Sequence, residues 1–364
     1  MIYLDYQATT PLAPEALQAM LPWLERQHAN PHSSHAPGRA AKAAVEAARE
    51  QVSALLPDGG KLSFTSGASE ALNWAIKGIG PGGIVTIATE HAAVLESVAA
   101  MGRAGREVTV LPVNGEGIVD LDAAAAAIRP GTALVAAMLV NNEIGIIQPI
   151  AALADLAHRA GALMLCDAVQ GYGRMPVPDT VDLIAISAHK VHGPKGIGAL
   201  WIRDGVSLMP LIDGGAQEAA GRSGTLSPAL CAGFGAAAAV MTRQGNADRA
   251  HVEALWRAAT DRLDDGWRIN GATGARYHGN LNLRRAGLDV ARLMSDLRDI
   301  AFSAGSACAS GSGKPSHVLQ AIGLGCTEAR SSIRLGFGRY TTLEELIAGI
   351  ERIDAAARSQ MVLA

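Results

Sequence analysis

The chain has little cysteine: four in 364 residues, Cys166, Cys231, Cys308 and Cys326, widely spaced and without a CxxC pair. That argues against a disulfide framework or a cysteine-based zinc site and points to reduced thiols. It has no apolar run of the ~20 residues that a membrane span needs. The longest apolar-biased stretch, Pro228 to Met241, is expected to be a buried helix. The opening residues Met1-Ile2-Tyr3-Leu4-Asp5 lack the basic start, apolar run and cleavage site of a secretory leader, so a cytoplasmic location is expected. A net charge of −3, with both signs interspersed, offers no cationic stripe for nucleic acid or anionic lipid, and a small-molecule or protein partner is expected instead. Ten histidines supply two close pairs, His32/His35 and His189/His192, neither with a nearby Cys or carboxylate, so no metal site is expected.

What is present is length and periodicity. The chain is long enough for about two domains. From about Lys61 to Arg203, short β-rich runs alternate with Ala-rich amphipathic segments, the pattern of βαβ units around a mainly parallel sheet. The expected strands are Ile84–Ala88, Val108–Pro112, Leu134–Leu139, Leu163–Cys166, Leu183–Ser187 and Ala199–Ile202. The expected helices are Ser69–Lys77, Ala92–Ala104, Asp122–Ile128 and Ile150–Ala160. After about Gly245 the composition changes: a charged helical segment, Asp248–Leu263, precedes Tyr277–Leu283, a helix near Val290–Arg298 and a Gly/Ser-rich loop. The expectation is a large α/β domain at 13–243 and a smaller α+β domain formed by 1–12 and 244–364, with Ile2–Tyr6 able to pair with the C-terminal sheet.

Ligands of open α/β sheets bind beyond the carboxyl ends of the strands, so the polar residues just after each expected strand are the candidates. His91, Asn142, Asp167, Gln170, His189 and Lys190 all fall there. Taken singly, each has an ordinary alternative: Asp167 as a helix cap, Asn142 as a turn residue, His91 on the surface, Lys190 solvated. Thr65-Ser66-Gly67-Ala68-Ser69-Glu70 opens a helix with small residues whose N–H groups can surround a phosphate. It reads equally well as a capping box. Together, a lysine nucleophile, a carboxylate, a phosphate cradle and a ring able to stack are what pyridoxal phosphate (PLP) requires.

The motifs Tyr3-Leu4-Asp5-Tyr6-Gln7-Ala8-Thr9-Thr10, Phe64-Thr65-Ser66-Gly67-Ala68-Ser69-Glu70, Thr89-Glu90-His91, Val140-Asn141-Asn142-Glu143-Ile144-Gly145, Ser187-Ala188-His189-Lys190, Arg222-Ser223-Gly224-Thr225, Gly305-Ser306-Ala307-Cys308 and Ser331-Ser332-Ile333-Arg334 run nearly end to end. In that order the chain resembles the NifS/IscS-type cysteine desulfurases, within the class V aminotransferase group of fold-type I PLP enzymes. The resemblance implies a large domain with a seven-stranded-type sheet and a homodimer with shared sites. It implies that Lys190 carries the cofactor as a Schiff base and moves the substrate proton, that Asp167 pairs with the pyridine nitrogen, Gln170 contacts the ring oxygen and His91 stacks on the ring. Ala68, Ser69, Ser187 and His189 would hold the phosphate, and Thr225 would reach the phosphate bound by the neighbouring subunit. Asn142 and Arg334 would orient the carboxylate of L-cysteine.

Cys308 lies in a Gly/Ser-dense segment expected to be an exposed loop. By resemblance it is the nucleophile that takes the substrate sulfur as a persulfide, leaving alanine, and passes it to an acceptor or scaffold protein in iron–sulfur assembly or tRNA thiolation. Ser69 stands where the family commonly has Thr, which keeps the hydroxyl. The chain stops at Ala364, where housekeeping members continue into a tail associated with scaffold docking. Two other readings compete: a selenocysteine lyase or other β-eliminating PLP enzyme, which need not depend on Cys308, and a non-catalytic scaffold, which would not need Lys190, Asp167, His91, Cys308 and Arg334 together.

Overall fold

The computed structural model describes residues 1–218, 221–305 and 315–362. Its centre is the seven-stranded sheet expected of the fold. In spatial order the strands are Gly60–Thr65, Gly198–Arg203, Leu183–Ser187, Leu163–Asp167, Thr132–Met138, Gly83–Ile87 and Val108–Leu111. Gly198–Arg203 runs antiparallel to both of its neighbours, and the remaining pairings are parallel. The inner strands read as continuous apolar runs because helices cover both faces. Along Thr132–Met138, Leu134 and Ala136 enter one core while Val135 and Ala137 enter the other, the period-2 consequence of the pleat.

Helices Ala68–Gly78 and Ala92–Arg103 pack on one face through Leu72, Trp74, Val94 and Val98. Helices Ala36–Ser53 and Ile150–Arg159, with the first half of Pro228–Thr260, pack on the other through Val45, Val52, Leu153 and Phe234. Cys166 and Cys231 are buried thiols in this core. The strands and helices of this region lie within about two residues of the sequence expectation. Strand Gly60–Thr65 and helices Pro14–Glu25 and Ala36–Ser53 are additions, since no strand of the large sheet was expected before Ile84 and no helix before Ser69.

The expected buried helix at Pro228–Met241 and the charged helix from Asp248 are one 33-residue helix, Pro228–Thr260. Ser227 caps it by accepting the Leu230 N–H, and Pro228 sits at its first turn, where a missing N–H costs nothing. Gly245 does not break it. Cys231 and Phe234 face the large core, Leu255 and Trp256 a second core, so the helix crosses the boundary drawn at 243/244 without a linker.

The second core lies on a four-stranded antiparallel sheet ordered Ser303–Ala304, Ser332–Gly336, Asn280–Arg285, Trp267–Ile269. The strand expected from Tyr277 begins at Asn280, because Tyr277 donates its N–H to the Gly145 carbonyl and 277–279 turns against that loop. Ile2–Tyr3 pairs in parallel with Ile300–Ala301, and Asp5 bridges to Gly336, so the first residues do join the C-terminal half. Among the described residues no helix is long and apolar enough to cross a membrane.

Candidate active site

The carboxyl ends of the parallel strands open into a cavity of about 540 Å³. Its walls include Ala68, Ser69, His91, Asn142, Asp167, Gln170, Ser187, His189 and Lys190. The sheet alone explains this convergence. Lys190 ends the single 3₁₀ turn after Leu183–Ser187, Asp167 ends the adjacent strand, and His91 follows the strand two places further along.

Lys190 Nζ donates to the carbonyls of Gln7 (2.5 Å) and Ala8 (2.8 Å). Burial pushes its pKa down to about 8, with Arg334 and Arg174 adding to the effect and Asp5 and Asp167 opposing it. Asp167 accepts the Val169 N–H at 3.0 Å. Burial raises its carboxyl pKa, while His91 and Lys190 act in the opposite sense. His91 caps helix Ala92–Arg103, its Nδ1 accepting the Ala93 N–H at 3.0 Å, which in the neutral ring leaves the proton on Nε2. Burial lowers its pKa, so the ring is neutral. The ordinary reading of His91 as a cap and the functional one therefore coexist: one ring nitrogen caps while the side chain lines the cavity.

Gln170 donates through Nε2 to the Gln7 carbonyl (3.0 Å) and accepts from Arg174 Nη1 (3.0 Å). Arg174 Nη2 donates to the Lys190 carbonyl at 2.6 Å, bracing the lysine from behind. His189 Nδ1 lies 3.2 Å from Thr9 Oγ1, and burial drops its pKa to about 4, with Lys190 and Lys195 next in effect. The turn role weighed for Asn142 belongs to Asn141. The Asn141 side chain accepts the N–H groups of Glu143 and Ile144 and donates to the Thr89 carbonyl, which frees Asn142 to line the cavity.

Ser66 and Gly67 lead into helix Ala68–Gly78, with Gly67 as its cap residue. The strand packed behind allows this turn: a Cβ on Gly198 would lie 2.7 Å from Gly67 C and 2.5 Å from the Ile186 carbonyl oxygen. The Ser66 N–H is taken by Glu70 at 2.7 Å, but the cap residue is Gly67 and makes no side-chain cap, so only the carboxylate half of the capping reading is present.

Arg334 is not in the cavity wall. Its side chain is fully buried on strand Ser332–Gly336, donating to the Asn142 carbonyl (3.0 Å), Asp5 Oδ1 (2.7 Å) and Ser303 Oγ (3.2 Å). Thr225 is likewise absent from the wall. Cys308 lies outside the described residues. The chain on either side of 306–314 is tied down, after 314 through residues next to the cavity-lining Asn142 and His91. Gly305 donates its N–H to the Ser332 carbonyl (2.7 Å), Ser316 Oγ donates to Glu143 (2.5 Å), and His317 Nε2 donates to the Glu90 carbonyl (2.9 Å).

Sequence reasoning passed over Gln7, Ala8 and Lys195, which line the cavity, and Glu90, and gave Glu70, also in the wall, only a capping role. Glu90 is completely buried and accepts the Met138 N–H at 2.5 Å, and burial, reinforced by Asp167, pushes its pKa well above the usual carboxylate range. Its place immediately before His91 was the available signal.

Residues 2–348 match the aminotransferase class-V family. The chain is 41% identical to cysteine desulfurase IscS of Rickettsia rickettsii (strain Iowa) over 362 residues, spanning 95% of this chain and 88% of that protein. Among solved structures it resembles a NifS-like protein from Rickettsia africae ESF-5, with TM-score 0.89, 29% identity, and 98% and 99% of the two chains covered. It also resembles SspA in complex with cysteine, with TM-score 0.82, 33% identity, and 94% and 100% covered.

Proposed function

This chain belongs to the aminotransferase class-V family, and from that membership and the cavity we propose that it is a PLP-dependent cysteine desulfurase converting L-cysteine to L-alanine. The observation that carries the reading is the convergence of Lys190, Asp167, His91 and the Ser66–Ser69 turn on one cavity. The residues fit the cofactor. A lysine amine with a lowered pKa is available to bind it covalently. Asp167 is a buried carboxyl with no Arg or Lys within ion-pair reach among the described residues, suited to a cationic ring nitrogen. A helix N-terminus faces the cavity for the phosphate.

When bound, PLP supplies an electron sink for the bond-breaking at the substrate carbon. The chain does the rest. Lys190 anchors the cofactor and then, as a neutral amine, moves the Cα proton. Asp167 would hold the ring nitrogen, Gln170 the ring oxygen, and the His91 ring would lie against the cofactor. Ala68, Ser69, Ser187 and His189 hold the phosphate, and Thr225 contributes from the neighbouring subunit of a homodimer. Asn142 and Arg334 orient the substrate carboxylate. Arg334 does so from behind Asn142 unless its bond to Asp5 opens, since its guanidinium is fully buried here. Cys308 attacks the substrate sulfur: one S–S bond forms as the Cβ–S bond breaks, the carbon takes a proton, and a Cys308 persulfide and alanine result. An acceptor or scaffold protein then takes the sulfur, for iron–sulfur cluster assembly or tRNA thiolation.

The test is production of alanine and protein persulfide from L-cysteine by the parent and by Cys308→Ser. The variant should keep the cofactor absorbance and lose more than 95% of its alanine production, about 2 kcal/mol or more in the barrier. Alanine formation at the parent rate would overturn desulfuration through Cys308 and favour the selenocysteine lyase reading, whereas pyruvate and sulfide in place of alanine would favour β-elimination.

A further inference from the structure

Glu70 presents a difficulty for a phosphate site. Its carboxylate lines the same cavity as Ser66–Ser69 and is fixed at the rim by the Ser66 N–H, 2.7 Å away. A carboxylate held there repels a dianion, and the repulsion is strong where both charges are partly removed from water. The structure answers it with Arg222, from a segment more than 150 residues away in the chain. Arg222 Nε donates to Glu70 Oε1 at 2.8 Å and Nη2 to Oε2 at 3.3 Å, a bidentate pair with side chains only 13% and 11% exposed. The pairing stands on geometry alone, and the lowered Glu70 pKa agrees with it.

The same guanidinium grips the chain that carries it. Arg222 Nη1 donates to the Gly224 carbonyl at 3.3 Å, and the Arg222 carbonyl accepts the Glu218 N–H at 3.0 Å. Glu218 is itself locked to Arg49 by a second bidentate pair, at 2.7 and 2.9 Å. Arg222 is therefore held from both sides and does not lean on Glu70 for its position. Of the residues lining the cavity, Lys195 is the lysine left over once Lys190 is committed to the cofactor.

We propose that Arg222 is a cofactor-positioning residue, which neutralises Glu70 so that the Ser66–Ser69 turn accepts the phosphate of PLP. This rests on the function proposed above. The test is a double-mutant cycle on full-length protein stripped of cofactor and titrated with PLP, following the cofactor absorbance band. Arg222→Gln should weaken PLP binding about tenfold, the effect of one uncompensated charge near the phosphate. Glu70→Gln should bind within threefold of the parent. The double variant Glu70→Gln/Arg222→Gln should recover to within threefold as well, although it has lost the same arginine. A structural or direct phosphate-binding role for Arg222 would leave the double variant as weak as the single, and that result overturns the proposal. So does an Arg222→Gln protein that binds PLP like the parent. A parent that forms no band at all would instead overturn the PLP reading, and this inference with it.

Discussion

Lys190 is the residue whose charge state decides the chemistry. Its pKa in the cofactor-free protein is pushed down from 10.5 to about 8, first by burial and then by Arg334 and Arg174. A lowered lysine pKa means that the nucleophilic neutral amine is the minor form below that value and the major form above it. Capture of PLP by the stripped protein should accelerate with rising pH and level off above about 8. Stopped-flow absorbance at the cofactor band would show this, and a rate still climbing at pH 10 would mean that the amine behaves as a solvated lysine. Around Lys190, the residues legible in the sequence were those that end a strand, because the sheet forces strand ends onto one edge. Asn142 and Asn141 could not be separated that way. They are neighbours of one type, and only the hydrogen bonds to Glu143 and Ile144 show which one makes the turn. Gln7 and Ala8 were illegible for another reason: they contact Lys190 through backbone carbonyls, and any residue type has one.

At the scale of elements, the long helix Pro228–Thr260 shows how one amino acid can act in opposite directions. Gly245 lies in its interior, and a Cβ there would find its nearest neighbour, the Gly173 carbonyl oxygen, at 4.0 Å, ordinary contact distance. Gly245→Ala should stabilise the protein by about 0.5–1 kcal/mol through helix propensity and a less free unfolded chain. Gly235 lies ten residues earlier, where a Cβ would come within 2.7 Å of Ala48 Cα on helix Ala36–Ser53. Gly235→Ala should destabilise by about 1–3 kcal/mol, because the two helices must part. Urea denaturation of both variants checks the signs, and two shifts in the same direction would refute the packing described. This contrast also explains why the change of composition near Gly245 leaves the helix unbroken. A glycine marks a break only when nothing else continues the helix, and here two different cores hold its two halves. Single-sequence periodicity finds either half, since each has its own apolar face. The identity of the partner core is a tertiary fact and leaves no local signature.

For the molecule as a whole, the segment from Asp5 to Ala13 is the seam between the two cores. It bonds to Arg334 at one end, to Lys190 in the middle, and to the turn around His192 at the other. His192 holds that turn with φ +67°, its N–H donating to Thr10 Oγ1 (2.7 Å), its Nδ1 to the Pro11 carbonyl (2.9 Å), and its carbonyl accepting the Ala13 N–H (2.9 Å). Burial drops its pKa to about 4. The Pro11 carbonyl pulls it upward, Arg339 and Arg174 push it down, and Asp248 offsets them in part. In the unfolded chain the same ring titrates near 6.5. Between those values the unfolded state binds a proton that the folded state refuses, so stability is full above pH 6.5, falls as the pH drops toward 4, and loses no more to this group below that. The loss is about 2–3 kcal/mol, and it acts at the seam that fixes Lys190. His192→Asn should be less stable at neutral pH, since Asn tolerates a positive φ but leaves the packing against Tyr6 and Tyr340 unfilled. Its stability should nevertheless decline less steeply than that of the parent between pH 6.5 and 4. Denaturation free energies measured at pH 4, 5, 6 and 7 for both proteins decide it: converging curves support the seam, whereas parallel curves place the acid sensitivity elsewhere, with His189 the next group to test because its pKa is also drawn down to about 4.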